Sequence, residues 1–302
     1  MSSQLITILG PTATGKTSLA AEVAYRLGGE VISADSRQVF RGMDLGTGKD
    51  LAEYRVRDTD VPYHLIDICS PFEEYNAYRF MGDFRDAFTD IVSRGRQPIM
   101  CGGTGMYLDA VIRGYHLPDA PVDPVFRASI ADVSDEELTA RLASYIKLHN
   151  HTDTETRERL VRALEIQEFA QRHPDAYIQM PAMEHRVFGI AFSREVIIER
   201  IERRLRQRMA DGMTAEIQRL LDEGVPVRRM LKFGLEYKHV TLYLTGECTK
   251  QQMFDNLFTD IRRFAKRQMT WFRRMERNGV DIRWIDGNLP LDAKVDAVLS
   301  AR

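Results

Sequence analysis

Eight residues near the start of the chain set the strongest constraint on its fold. Residues 10–17 read GPTATGKT and fit G-x-x-x-x-G-K-[ST] at every fixed position. Such a loop works between a buried strand and a helix: its glycines let successive backbone N–H groups turn inward, and the helix adds its positive N-terminal end. The flanks comply. Residues 5–9 are a short apolar run, and 16–27 space Leu19, Val23 and Leu27 along one helical side. Gly10, Pro11, Thr12, Ala13, Thr14, Gly15, Lys16 and Thr17 are therefore expected to hold a polyphosphate, with Lys16 as a mobile charge and the Thr17 hydroxyl on Mg²⁺. Against a chance glycine-rich turn stands the order of strand, loop and helix. The default ligand of such a loop is a nucleoside triphosphate, so the motif alone allows a small-molecule kinase using ATP.

Strand and helix go on alternating. Residues 30–35, 64–68 and 98–101 read as strands, and 76–92 reads as a helix. That order predicts an α/β fold, a P-loop NTPase-like parallel sheet flanked by helices. The LPDAPVDP run at 117–124 is a linker signal. Ser134 and Glu137 have capping-box spacing, and helical patterns continue through 152–171. Strand character returns at 186–192, followed by helices at 194–210 and 249–277, a strand at 282–285 and a helix led by Pro290. The expected organisation is a core of residues 1–118 and 186–302 around an inserted all-helical subdomain at 119–185.

At 302 residues, with 44% hydrophobic and 28% charged, the chain has the composition of a globular protein of one large or two modest domains, which excludes disorder and collagen. No run approaches the ~18 apolar residues of a membrane helix, and the N-terminus lacks the basic flank of a signal peptide, so a cytoplasmic protein is expected. Cys69, Cys101 and Cys248 are scattered without CxxC spacing; they suggest buried thiols rather than a disulfide framework or a zinc knuckle. The net charge of −2 hides an asymmetry. Residues 1–150 carry 15 Lys and Arg against 21 Asp and Glu, whereas 151–302 carry 27 against 23. Arg262, Arg263, Lys266, Arg267, Arg273, Arg274 and Arg277 share a helix with Trp271 and Phe272. This pattern suits phosphate contact with base stacking, and equally a helix whose Phe264, Met269 and Trp271 face a core.

Asp35 closes the second strand, on the ligand-bearing edge of a parallel sheet, where a carboxylate can act as general base or outer-sphere Mg²⁺ ligand, or simply shape a turn before Ser36. Asp67, inside an apolar run, is a weaker Walker B candidate. Thr104, in GGTG, suits an N-cap for the helix through Leu108. Arg159 and Arg162 lie three apart on one helix face and read most simply as a solvated basic stripe.

The markers GPTATGKT at 10–17, ADSRQVFRGMDLGTGK at 34–49, YHLIDI at 63–68, CGGTGMYLDA at 101–110, RERLVRALEI at 157–166 and AKRQMTWFRR at 265–274 occur in one order along nearly the whole chain. In this the chain resembles the bacterial tRNA dimethylallyltransferase (IPP transferase) family, whose members isopentenylate adenosine 37 of certain tRNAs. The resemblance implies that dimethylallyl diphosphate rather than ATP occupies the loop, and that its dimethylallyl group passes to N6 of the adenine in the anticodon loop with release of pyrophosphate. In the family's pattern Asp35 matches the carboxylate that accepts the amine proton, and Asp35, Ser36, Arg37 and Gln38 match the segment touching the target nucleotides. Thr104 matches a threonine beside both substrates, and Arg127, Arg159 and Arg162 match positions that grip the anticodon stem-loop. A monomer is expected. Beside the kinase, a non-catalytic P-loop RNA-binding protein stands as a second alternative. One departure from the family's pattern is visible: many members carry Gly-Tyr-Lys or Gly-Tyr-Arg where this chain has KFGLEYK at 232–238, which leaves the contacts of that segment open. The eukaryotic zinc-finger extension has no counterpart.

Overall fold

Leu5, Ile6, Ile8 and Leu9 of β1 (Ser3–Leu9) are buried whichever way they point, as the centre of a parallel sheet covered on both faces requires. The computed structural model describes residues 3–115, 117–146, 154–173 and 175–301. Its contacts divide the chain into two units, Met1–Gly114 with Pro181–Arg302, and Tyr115–Met180.

In the first unit β1 leads through the glycine loop into α1 (Lys16–Leu27), which Gly28 ends in the left-handed conformation, and β2 (Glu30–Ala34) follows. A hairpin of β3 (Arg55–Val56) and β4 (Thr59–Asp60) precedes β5 (Tyr63–His64), α2 (Ala77–Ser93), β6 (Pro98–Gly102) and α3 (Gly105–Ile112). After the second unit the chain re-enters the sheet as β7 (Met183–Ala191). The main sheet has the order β5-β2-β6-β1-β7-β8, where β8 is Ile282–Asp286, with every pairing parallel. This is the α/β, P-loop-like architecture that the alternating pattern predicts.

One expected strand is mostly absent. Of residues 64–68 only His64 belongs to a strand, because Leu65 and Asp67 take positive φ, 62° and 57°, and turn the chain out of the ladder.

The helices after β7 form a layer beside the glycine loop: α7 (Arg194–Ala210), α8 (Met213–Asp222), α9 (Val227–Met230), α10 (Leu235–Leu244) and α11 (Lys250–Arg277). Thr249 and Gln252 start α11 with a reciprocal capping box. Met253, Leu257, Ile261, Ala265, Phe272 and Met275 are buried on it, and the first four meet Ile201, Leu205, Ile217 and Val240 in a core that also takes in Ala13 of the loop. The chain closes with β8 (Ile282–Asp286) and α12 (Leu291–Ser300).

The second unit packs α4 (Pro124–Ser129), α5 (Asp135–Tyr145) and α6 (Arg157–Arg172) around Phe126, Leu138, Leu142, Leu160 and Leu164. Ser134 caps α5, as its spacing predicts, by accepting from the Glu137 N–H at 3.2 Å. The helix expected over 152–171 occupies Arg157–Arg172; Thr152 lies outside the described residues. Cys69 and Cys101 are buried, as expected, whereas Cys248 is only partly so. No helix among the described residues is long and apolar enough to cross a membrane.

Candidate active site

The glycine loop reverses direction through two left-handed residues, Ala13 (φ 63°) and Gly15 (φ 77°). Three bonds hold it. The Thr14 hydroxyl donates to the Pro11 carbonyl at 2.8 Å. From α7, Arg200 Nε donates to the Ala13 carbonyl at 2.7 Å, its guanidinium lying over the Phe192 ring. From α11, the Gln268 side-chain carbonyl accepts the Thr12 N–H at 2.9 Å, while its amide donates to the Gly103 carbonyl at 2.8 Å. These bonds fix the path of the loop backbone from Pro11 to Thr14. Burial pulls the Lys16 ammonium below the usual lysine range, and Asp35 and Glu53 lie close enough to oppose that shift.

β2 and β6 end side by side, and their C-terminal turns interlock. Thr104 N donates to the Ala34 carbonyl at 3.3 Å, and the Thr104 hydroxyl accepts the Ser36 N–H at 3.0 Å. Thr104 does stand at the N-cap of α3, but its side chain makes no capping bond there. The hydroxyl serves the Asp35 turn instead. Within that turn Asp35 Oδ1 accepts the Arg37 N–H at 2.9 Å, an Asx-turn that fixes one carboxylate oxygen. The turn reading of Asp35 is thus met at the end of β2. Burial lowers the Arg37 pKa against the pull of Asp35, Tyr107 and Glu236.

Gln38 points elsewhere. It accepts from the Ser33 hydroxyl at 3.0 Å and donates to the Gly48 carbonyl at 3.0 Å, bracing the 44–49 loop. Lys49 is 1% exposed and donates to the Phe40 carbonyl at 2.8 Å and to the carboxylates of Asp44 and Asp67. This corrects the Walker B candidate: Asp67 is the partner of a buried lysine, on a left-handed turn rather than at a strand end.

The donors beside the loop are oxygens: the Thr17 hydroxyl in the first turn of α1 and the carboxylates of Asp35 and Glu53 near Lys16. Among the described residues no three His, Cys, Asp or Glu side chains gather as a metal cage. Such a donor set suits a hard cation that takes most of its ligands from phosphate and water. Burial raises the Glu53 pKa, and its carboxyl bonds the Ser18 side chain.

Arg127, Arg159 and Arg162 belong to the second unit. Arg127 makes a two-pronged pair with Glu165, both contacts at 3.0 Å, and Arg162 reaches the same carboxylate at 2.5 Å and the Ala120 carbonyl at 2.7 Å. Arg159 pairs with Glu155 on a side chain 53% exposed. The basic helix α11 divides residue by residue. Phe272 is core, Trp271 packs on Gly105, and Phe264 is exposed beside Arg267.

Two contributors escaped the sequence reading. Gln268 sits in the AKRQMTWFRR marker, but no local pattern ties it to the loop. Arg200, Arg204 and Arg208 repeat at every fourth position of α7, a ladder that could have flagged a charged face turned inward.

The model of the IPP transferase family matches residues 38–275, and that of isopentenyl transferase matches 3–63. The chain belongs to the IPP transferase family. Among relatives of this IPP transferase, tRNA dimethylallyltransferase 1 of Porphyromonas gingivalis is 51% identical over 98% of both chains. The solved tRNA isopentenylpyrophosphate transferase of Bacillus halodurans is 34% identical, with a TM-score of 0.72 over 99% of this chain and 95% of that one. A solved counterpart from Staphylococcus epidermidis is 28% identical, with a TM-score of 0.68 over 99% and 98%. The IPP transferase fold thus spans the described chain from the glycine loop to α12.

Proposed function

We propose that this IPP transferase moves the dimethylallyl group of dimethylallyl diphosphate to N6 of adenosine 37 in the tRNA anticodon loop, releasing pyrophosphate. The observation that carries the reading is the placement of Asp35, at the end of β2, within electrostatic reach of Lys16 in a braced phosphate loop. The relatives are named as tRNA dimethylallyltransferases, not as ATP-dependent kinases or non-catalytic RNA-binding proteins.

In this reading the loop N–H groups and Lys16 bind the diphosphate and stabilise charge as it leaves, the term that usually dominates when a leaving group develops charge. Asp35 keeps Oδ1 on the Arg37 N–H and uses Oδ2 to accept the proton from the adenine amine as nitrogen bonds to the allylic carbon. Thr104 holds the Asp35 turn through Ser36 and stands beside both reactants. Mg²⁺, held by the Thr17 hydroxyl and phosphate oxygens, would supply further neutralisation of the leaving pyrophosphate.

Ser36 and Arg37 receive the target nucleotide, with Gln38 acting on the segment from behind. The inserted helices at 119–185 take part of the anticodon arm. There Arg159 offers an exposed charge beside Glu155, Arg127 presents the guanidinium edge not used by Glu165, and Arg162 must give up the Ala120 carbonyl to reach a phosphate. The same reading takes the protein as a monomer in the cytoplasm.

The test is to incubate the protein with Mg²⁺, unmodified tRNA and labelled dimethylallyl diphosphate, and separately with ATP. Label transfer that disappears in Asp35→Ala is expected. ATP consumption without prenylation, or tight tRNA binding with neither reaction, would overturn the proposal.

A further inference from the structure

Glu216, in the first turn of α8, draws four donors onto one carboxylate. Its Oε2 accepts the Asp44 and Leu45 N–H groups, both at 2.8 Å, and its Oε1 accepts the Gly46 N–H at 3.0 Å. The Tyr237 hydroxyl of α10 donates to Oε1 at 2.7 Å. Three successive amides turned onto one anion make a nest, here filled by the protein's own side chain. The sequence provides for the close approach: a Cβ on Gly46 would fall 2.6 Å from the Tyr237 ring. Tyr237 is 1% exposed and packs edge-on to Phe233, which fixes the phenol.

From this nest a chain of bonds leads to the Asp35 turn. The Gly48 N–H donates to the Asp44 carbonyl at 2.9 Å, so the backbone anchored at Asp44 carries Gly48 with it. The Gly48 carbonyl accepts the Gln38 amide at 3.0 Å, and the Gln38 side-chain carbonyl accepts the Ser33 hydroxyl at 3.0 Å. Ser33 and Gln38 bracket the turn in which Asp35 Oδ1 holds the Arg37 N–H. Lys49 also ties the loop down, through the Phe40 carbonyl and the Asp67 carboxylate. The two ties differ in kind. A lysine bonded through its side chain fixes where the loop lies, whereas three backbone amides on one carboxylate fix which way its peptide groups face.

We propose that Glu216 is a positioning residue for the transfer reaction: it sets the 44–48 loop so that the Gly48 carbonyl holds Gln38, and through Gln38 it fixes the turn that aims Asp35. This rests on the reading of Asp35 as the group that accepts the amine proton. Glutamine at 216 has nearly the same size, but one of its two acceptor oxygens becomes a donor facing donors, so the nest cannot close.

The experiment measures kcat and KM for prenyl transfer to unmodified tRNA in the native protein, Glu216→Gln, Gln38→Met and the double variant. Rates are expressed per folded molecule, taken from the amplitude of the urea unfolding transition. Glu216→Gln is expected to lower kcat by about ten- to a hundred-fold, the scale on which small misplacements of a reacting group are felt, and to leave the KM for dimethylallyl diphosphate within about two-fold. Because Glu216 acts through Gln38, the double variant is expected to be within about two-fold of the slower single variant. A kcat within about two-fold of native in Glu216→Gln, a loss confined to KM, or losses that multiply in the double variant would overturn this proposal alone. Should Glu216→Gln fail to fold, Tyr237→Phe takes its place, since it removes one donor of the four and keeps the ring. A loss of about three-fold or more in kcat is then expected in the native background and not in Gln38→Met, and an unchanged kcat would overturn the proposal. Absence of transfer by the native protein would overturn the underlying reading instead.

Discussion

Gln268 holds the Thr12 N–H across 256 positions of sequence, at 2.9 Å, and with its other end holds the Gly103 carbonyl at 2.8 Å. One buried amide thus joins the phosphate loop to the turn that carries Thr104. Replacing it by Leu strands two buried backbone groups, each costing about 1–3 kcal/mol. We expect Gln268→Leu to lower the urea midpoint and to reduce kcat more than it raises the KM for tRNA. Equal stability and turnover would show that the amide bridge is dispensable.

Asp35→Asn keeps an acceptor for the Arg37 N–H while removing the basicity of the group. A loss of about 10²–10⁴ in kcat is expected, the usual worth of a positioned base. Binding of dimethylallyl diphosphate, measured calorimetrically, should stay within a few-fold. If turnover falls less than ten-fold, Asp35 is not the proton acceptor.

At the opposite end of the sheet Glu30, 2% exposed, is bonded by Arg94 and by His64, the latter at 2.7 Å. Chiefly through the Arg94 bond, its carboxyl is held down to about 2 from an ordinary 4.5. A depressed carboxyl stabilises the fold above its unfolded value and loses that contribution as pH falls through the folded one. The stability gap between the native protein and Glu30→Gln should therefore be full near pH 6 and shrink from about pH 4.5 toward pH 2. Denaturant midpoints across that range check it; a gap that widens on acidification would contradict the assignment.

Lys49→Met leaves Asp44 and Asp67 facing an apolar end group. The lysine is buried but both carboxylates are part-exposed and stay solvated, so a loss of about 1–3 kcal/mol, the worth of hydrogen bonds to charged groups, is expected in chemical denaturation. Asp67→Asn should cost less, and transfer per folded molecule should stay within a few-fold. A specific loss of turnover in Asp67→Asn would restore the Walker B reading.

The parallel sheet, the glycine loop and the Asp35 edge were legible because each is written locally: apolar runs, a fixed glycine spacing, an acid at a strand's end. The long amphipathic stripe of α11 was legible for the same reason. What could not be read were pairings across the chain. Gln268 with Thr12, Arg200 with Ala13 and Arg127 with Glu165 join segments whose separation leaves no period to detect. The 64–68 segment misled because its apolar content matches a strand while two left-handed residues, Leu65 and Asp67, bend it away; neither is glycine, so nothing in the letters announced the turn. Thr104 was assigned a capping role by its position, yet tertiary contact with Ser36 took its hydroxyl.

That last contact has a mechanical consequence. The Ser36 amide hangs from Thr104, and the Thr104 amide hangs from Ala34, so the two strand ends form a closed buckle around Asp35. Moving the acid outward requires both links to open at once. On the proposed role of Asp35, an incoming base would meet the acid already aligned, with little of the barrier left for reorientation of the enzyme.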